Sequence, residues 1–287
     1  MRLPLPVVRG VVRTLVRPAL GPPVPLAAQR LWMVLLSQPL LPTGTRVEKT
    51  VLGGRPAETV TGPGATGSGS VLLLHGGAFI TCSPRTHRVL AAHLSAAAGV
   101  PVHVLDYRLA PEHPFPAPVQ DAVRAYDELA ATGPVVVFGD SAGGCLALLL
   151  ARERTPRALA LVSPLTDLTR GLSSEWTGED VLVRRDWARQ GCEAFAGGAD
   201  LRALSPRFDD LTRLPPTLVH VSQHERLRPE GEELVERARA AGVAVELVEL
   251  PGVWHDVHLF AHLLGEAADA SAAMGRWIGA RLAPAAP

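Results

Sequence analysis

The chain has 287 residues, 47% of them hydrophobic, with 28 lysines and arginines against 28 aspartates and glutamates. That length and apolar content suit one main domain with a large core. The charge balance removes any overall attraction to nucleic acid or to an anionic membrane, so a small, roughly neutral partner is expected.

The three cysteines, Cys82, Cys145 and Cys192, are odd in number and far apart. They form no CxxC pair, which argues against a disulfide framework or a zinc site and for a reducing compartment, with a cytoplasmic location expected. Arg9, Arg13 and Arg17 recur every four residues among Val8, Val11, Val12, Leu15 and Val16. This reads as a basic amphipathic helix, either a covering helix whose arginines face water or one making weak contact with a membrane surface. Arginines interrupt the early apolar run and no small-residue cleavage site follows, so a secretory signal is not expected. Prolines 18, 22, 23 and 25 separate this helix from a second over 27–36, and Pro39, Pro42 and Gly44 close that one. The main domain is expected over 45–287, with 1–44 outside it.

Two short strands are expected over 47–51 and 57–60. From Val71 the pattern changes. VLLL at 71, PVHVL at 101, PVVVF at 134 and ALALV at 158 are apolar without alternation, as strands buried on both faces of a parallel sheet should be. Helices are predicted between them over 88–98, 118–130 and 142–154. TLVHV at 217 and VELVEL at 245 continue the alternation, with helices over 230–241 and 265–282. The fold class is therefore α/β, a mostly parallel central sheet flanked by helices. Residues 168–204, which include Trp176, Trp187 and Phe195, carry no strand signal and are expected as helices over one end of the sheet.

Between the strand ending at Phe138 and the following helix lies Gly139-Asp140-Ser141-Ala142-Gly143. This is Gly-x-Ser-x-Gly in a strand–turn–helix context, where small residues permit a turn sharp enough to hold the serine in strained dihedrals. A helix cap would explain the serine but not both glycines. A serine nucleophile needs a base, and His255 follows the strand VELVEL through Pro251-Gly252-Val253-Trp254. Five other histidines precede Ser141, against the chain order nucleophile, acid, histidine. The first carboxylate after TLVHV is Glu225, placed to accept the Nδ1 proton of His255. Glu230 and Glu233 fall in the next helix and are expected to face solvent, while Asp209 and Asp210 precede the strand. His258 could share a helical face with His255, but no third metal ligand is suggested. After VLLL comes HGGAF, a loop of small residues able to aim N–H groups at an oxyanion. Gly77 and Ala78 are the candidate donors, with Ala142 as a third.

HGGAF, DYRLAPEHPFPA at 106–117, GDSAGG at 139–144 and PGVWH together resemble the hormone-sensitive-lipase-like, or HGGG-type, esterases of the α/β-hydrolase fold, from about residue 45 onward. The resemblance implies a serine carboxylesterase acting through an acyl-enzyme on small to medium acyl esters without metal or organic cofactor. It assigns Ser141 as nucleophile, His255 as base, Glu225 as acid, and Gly77, Ala78 and Ala142 as oxyanion donors. It also implies a helical cap, which 1–44 and the insertion 168–204 would form, and a homodimer. Two departures stand out: Ala78 replaces the third glycine of HGGG, and Glu225 replaces the usual aspartate. DYRLAPEHPFPA reads as a proline-fixed loop in which Asp106, Arg108 and Glu112 pair internally. Acyl transfer to an alcohol or amine remains an alternative on the same residues, and a binding-only protein of this fold is the rival from another class.

Overall fold

Strands β3 (Ser70–Leu74), β5 (Val135–Asp140) and β6 (Ala158–Val162) are buried at every residue, which places them at the centre of the sheet. The computed structural model describes residues 2–37, 40–170 and 180–283. The remaining strands are β1 (Arg46–Leu52), β2 (Arg55–Thr61), β4 (Val102–Leu105), β7 (Thr217–His224) and β8 (Val245–Trp254). Their order across the single sheet is β1-β2-β4-β3-β5-β6-β7-β8. The β1–β2 hairpin and the β2–β4 pair are antiparallel, and every other pairing is parallel.

Alternate residues of the central strands feed two cores, as the two-residue period of a strand requires. Val71, Leu73, Val136 and Phe138 pack with Leu90 and Leu94 of α3 (Pro84–Ala98) and Met274 and Ile278 of α8 (Gly265–Leu282). Leu72, Leu74, Val137, Leu159 and Leu161 face the other way. They meet α4 (Ala117–Ala130), α5 (Ala142–Ala151) and α7 (Arg228–Ala240). Each such side chain contributes roughly 1.5–3 kcal/mol of burial free energy, which explains why these strands are apolar without alternation. The α3 helix starts four residues before its expected position. Ser83 and Thr86 form a capping box there, and Gly99 in the left-handed region ends the helix.

The N-terminal segment carries α1 (Leu5–Val11), a looser helical turn to Val16, and α2 (Leu26–Leu36). On α2, the Arg30 guanidinium donates to both oxygens of Glu112, at 2.7 and 2.8 Å, and to the carbonyls of Ile80 and Ala110. Arg184, just before α6 (Arg185–Ala196), donates to the carbonyls of Leu20 and Pro22. These bonds tie the N-terminal segment to the loop after β3, to the loop after β4 and to α6. Trp176 lies outside the described residues. Among the described residues no helix is long and apolar enough to cross a membrane.

Three sequence expectations give way here. The arginines of the first helix do not simply face water: Arg9 turns inward, donating to the Gly252 carbonyl and lying over Trp254, while Val7, Val11 and Leu15 are exposed. The residues Asp106, Arg108 and Glu112 do not pair with one another. Arg108 grips Asp121 of α4 at 2.7 Å, and Glu112 takes Arg30. Glu230 is buried rather than solvated, accepting the N–H groups of Thr166 and Asp167 at 2.7 and 2.9 Å. Its desolvation pushes the carboxyl pKa up to about 7.

Candidate active site

Every described non-glycine residue with positive φ sits in a loop at the carboxyl end of a strand. Ala78, Phe79 and Cys82 follow β3, Ser141 follows β5, Ser163 follows β6 and Asp256 follows β8. Such conformations cost on the order of 1–3 kcal/mol each and persist only where neighbouring structure over-determines them. Their convergence marks one region where several loops are held in unusual shapes.

Ser141 has φ 51° and ψ −117° between β5 and α5, and its side chain makes no capping bond to the helix. The capping role is therefore not the one it plays. Its N–H donates to the Val162 carbonyl at 2.9 Å, and its own carbonyl accepts from Leu165 at 3.0 Å, which pins the turn to the end of β6. The flanking glycines are needed for close approach. A methyl group at 143 would be driven into the Leu74 carbonyl, and one at 139 into the Gly143 carbonyl.

The loop after β3 is fixed from beneath. Asp140, one residue before the serine, accepts the Gly76 N–H and the His87 ring Nε2, each at 3.0 Å. Tyr107 donates its hydroxyl to the His75 carbonyl at 2.6 Å and stacks on the His75 ring. Gly77 and Ala78 have φ 109° and 54°. Among the described residues neither they nor Ala142 donate their N–H groups to another backbone carbonyl. The methyl that distinguishes Ala78 from glycine is accommodated because α6 presents Gly191 opposite it.

His255 directly follows β8, and Glu225 directly follows β7, so adjacent parallel strands bring them together. The His255 Nδ1 donates to Glu225 Oε2 at 3.0 Å, while Glu225 Oε1 accepts the Ser222 N–H at 2.8 Å. The longer side chain thus reaches the imidazole with both oxygens engaged. On the opposite side of the ring, Asp256 Oδ2 lies 3.1 Å from Nε2. Burial works against the charged imidazole, but the Asp256 and Glu225 carboxylates outweigh it and hold the His255 pKa well above the ordinary histidine range. Burial raises the Asp256 carboxyl to about 7.

Ser141, Ala78 and Ala142 line one apolar cavity, closed by Leu165, Val183 and Trp187. Its free space is about 20 Å³, close to that of a single water-sized group. His258 does not face a shared ligand with His255; its Nε2 lies 3.1 Å from His220 Nδ1. Among the described residues no cluster of three or more histidine, cysteine or carboxylate side chains is spaced to hold a metal ion. Asp140 and Asp256 escaped the sequence reading. Both are carboxylates adjacent in sequence to candidate site residues, and that adjacency was the available signal.

A mostly parallel sheet with a strained serine at a strand–helix turn, and a histidine and carboxylate on later strand ends, is the architecture of the α/β-hydrolases. The sequence pattern of that family, the alpha/beta hydrolase fold, matches residues 71–259. The chain belongs to this family, within its hormone-sensitive-lipase esterases, and is a carboxylic ester hydrolase. It is 34% identical over 267 residues to Esterase LipU of Mycobacterium tuberculosis, covering 83% of this chain and 89% of that one. It is 37% identical over 211 residues to an acetyl-hydrolase of Streptomyces hygroscopicus, covering 69% and 71%. The crystal structure of an esterase from the bacterial hormone-sensitive lipase family superposes with a TM-score of 0.89 at 35% identity, covering 99% and 100% of the two chains.

Proposed function

We propose that Ser141, His255 and Glu225 form the catalytic triad of an esterase selective for short acyl groups. The observation that carries this reading is the strained, uncapped Ser141 lining a cavity of about 20 Å³. In the reaction, Ser141 Oγ attacks the ester carbonyl carbon as His255 Nε2 takes its proton. Glu225 stabilises the resulting imidazolium through Nδ1. The N–H groups of Gly77, Ala78 and Ala142 receive the developing oxyanion. Collapse breaks the bond to the alcohol, which leaves with the proton from Nε2. Water then repeats the sequence on the acyl-serine, releasing the carboxylic acid and restoring Ser141.

The same geometry supports a reading of the two halves of the substrate. In this reading the small cavity beside Ser141, with Trp187 in its wall, takes the short tail of an acetyl or propionyl group and no longer chain. A larger apolar pocket of about 200 Å³, lined by Val11, Val16, Met33 and Leu259 and bordered by Cys82 of the loop after β3, is in this reading the place of the alcohol part. Residues 1–44 and 168–204 act in this reading as a cap over the substrate. The acetyl-hydrolase relative from Streptomyces hygroscopicus supports the short-acyl assignment. A series of p-nitrophenyl esters from acetate to octanoate tests it: kcat/KM should be highest at acetate or propionate, and a maximum at hexanoate or beyond would overturn it.

The exposed apolar side chains support a contact with a lipid surface. Among the described residues seven of the ten large ones lie between Val7 and Leu40, Leu31 being 59% and Leu40 71% exposed. Arg2 and Arg13, both exposed, border them, so an anionic phospholipid surface is the partner whose chemistry fits. Three unpaired cysteines support a reducing, cytoplasmic setting.

A further inference from the structure

The catalytic reading leaves Asp256 unexplained, although it touches the ring atom on which that reading depends. A neutral imidazole that serves as base keeps Nδ1 protonated and Nε2 free to take a proton from the nucleophile. Here both ring nitrogens face carboxylates, Glu225 at 3.0 Å and Asp256 at 3.1 Å. A ring bonded in this way is either an imidazolium between two carboxylates or a neutral ring whose Nε2 accepts a hydrogen bond from the protonated Asp256 carboxyl. In both forms the Nε2 lone pair is engaged, and Ser141 Oγ has no acceptor there.

We propose that Asp256 is an internal competitor of Ser141 for His255 Nε2, so that the resting enzyme is latent until that carboxylate turns away. Asp256 is held at its post by the backbone: φ 53° and ψ 37° place it in the left-handed region directly after the histidine. The residue is 5% exposed, and Oδ1 has no hydrogen-bond partner among the described residues. A buried carboxylate oxygen without a donor is expensive, and the conformation is costly as well. The left-handed backbone also opens the short helical turn Val257–Phe260, whose Leu259 N–H donates to the Asp256 carbonyl at 3.1 Å, but the buried carboxylate adds nothing to that turn and has a purpose if it occupies the imidazole. Asp256 is a positioning residue in this scheme, acting on catalysis through His255 and the proton they share.

The pair does not titrate alone. Asp140 at the end of β5 and Glu225 after β7 both press the Asp256 carboxyl toward its neutral form, and His255 opposes them. Cys82, whose thiol burial pushes up to about 12, and His87 on α3, whose pKa Asp140 raises against burial, also sense Asp256. Losing the shared proton at higher pH frees Nε2 for Ser141. Activity is therefore tied to that deprotonation and should rise through neutral pH, with its acid limb above the ordinary histidine value of about 6.5.

The proposal rests on His255 being the base, and the test separates the two. The kcat/KM for p-nitrophenyl acetate is measured from pH 5 to 9 for the parent enzyme, Asp256→Asn and Asp256→Ala. Asparagine tolerates the left-handed region, so that variant keeps the loop, while alanine also vacates the site. The acid limb is expected to move down by about one to three pH units in both, as when a neighbouring opposite charge is removed. An unmoved limb with lower activity at every pH means that Asp256 only supports the loop, and overturns the proposal. If the parent enzyme hydrolyses no ester at any pH, the catalytic reading itself fails. A measurement on the unaltered protein stands beside these: at neutral pH, proton NMR should show two downfield protons at His255, one on Nδ1 and one held between Nε2 and Asp256. The Nδ1 proton alone contradicts the competition.

Discussion

If the cavity at Ser141 sets the acyl length, replacing Trp187 by alanine should let the enzyme accept butyrate at least as well as acetate. Trp187 is 6% exposed and lines, with Ser141, a cavity of about 20 Å³. Each methylene moved from water into an apolar site is worth about 0.8 kcal/mol, or about fourfold in kcat/KM. Butyrate brings two more methylenes than acetate, so with room for both the butyrate-to-acetate ratio should rise about fifteenfold. In the parent enzyme those methylenes meet the indole, and forcing them in costs roughly 1–3 kcal/mol, which widens the contrast. The assay is release of p-nitrophenolate from acetate, butyrate and hexanoate esters, variant against parent. Truncating a buried tryptophan costs about 3–5 kcal/mol of stability. The loss should fall toward the lower end, because Nε1 has no hydrogen-bond partner to strand. Circular dichroism therefore accompanies the kinetics, at a temperature where the variant is folded. An unchanged acyl ratio in a folded variant refutes the assignment of this cavity to the acyl chain.

Glu225→Gln keeps the length of the side chain but removes the charge facing Nδ1, so kcat on p-nitrophenyl acetate should fall by about 10²–10⁴ with little change in KM; near-parent turnover removes Glu225 from the triad. The lipid-surface reading is checked by cosedimentation with vesicles of phosphatidylcholine and phosphatidylglycerol. Binding should weaken in a variant carrying Leu31→Ser and Leu35→Ser while hydrolysis of soluble acetate esters persists, and equal binding by variant and parent refutes that surface.

Much of this architecture was legible because the local signals agreed. VLLL, PVVVF and ALALV announced strands covered on both faces, and all three lie at the centre of the sheet. Gly139 and Gly143 flanked a turn that admits no Cβ at either position. Glu225 and His255 were located by their places after successive strands, a rule of topology, and the structure puts them in contact. What stayed hidden depended on distant partners. Glu230 had the helical spacing of a solvated residue, yet the backbone at 166 and 167 comes to it from the end of β6. Nothing near Glu112 announced Arg30, which is 82 residues away in sequence. The helical arginine spacing suggested a polar outer face, but Arg9 finds its acceptor on the Gly252 carbonyl at the far end of the chain. Asp256 needed a backbone conformation that no periodicity encodes.

The central claim is that the Ser141 hydroxyl carries the acyl group. Diethyl p-nitrophenyl phosphate, which phosphorylates an activated serine and is not turned over quickly, addresses it directly. Intact-protein mass spectrometry should show one diethylphosphoryl group per chain, peptide mapping should put it on Ser141, and Ser141→Ala should take up none and lose ester hydrolysis. A label on another residue, or an alanine variant that hydrolyses p-nitrophenyl acetate at the parent rate, contradicts the account.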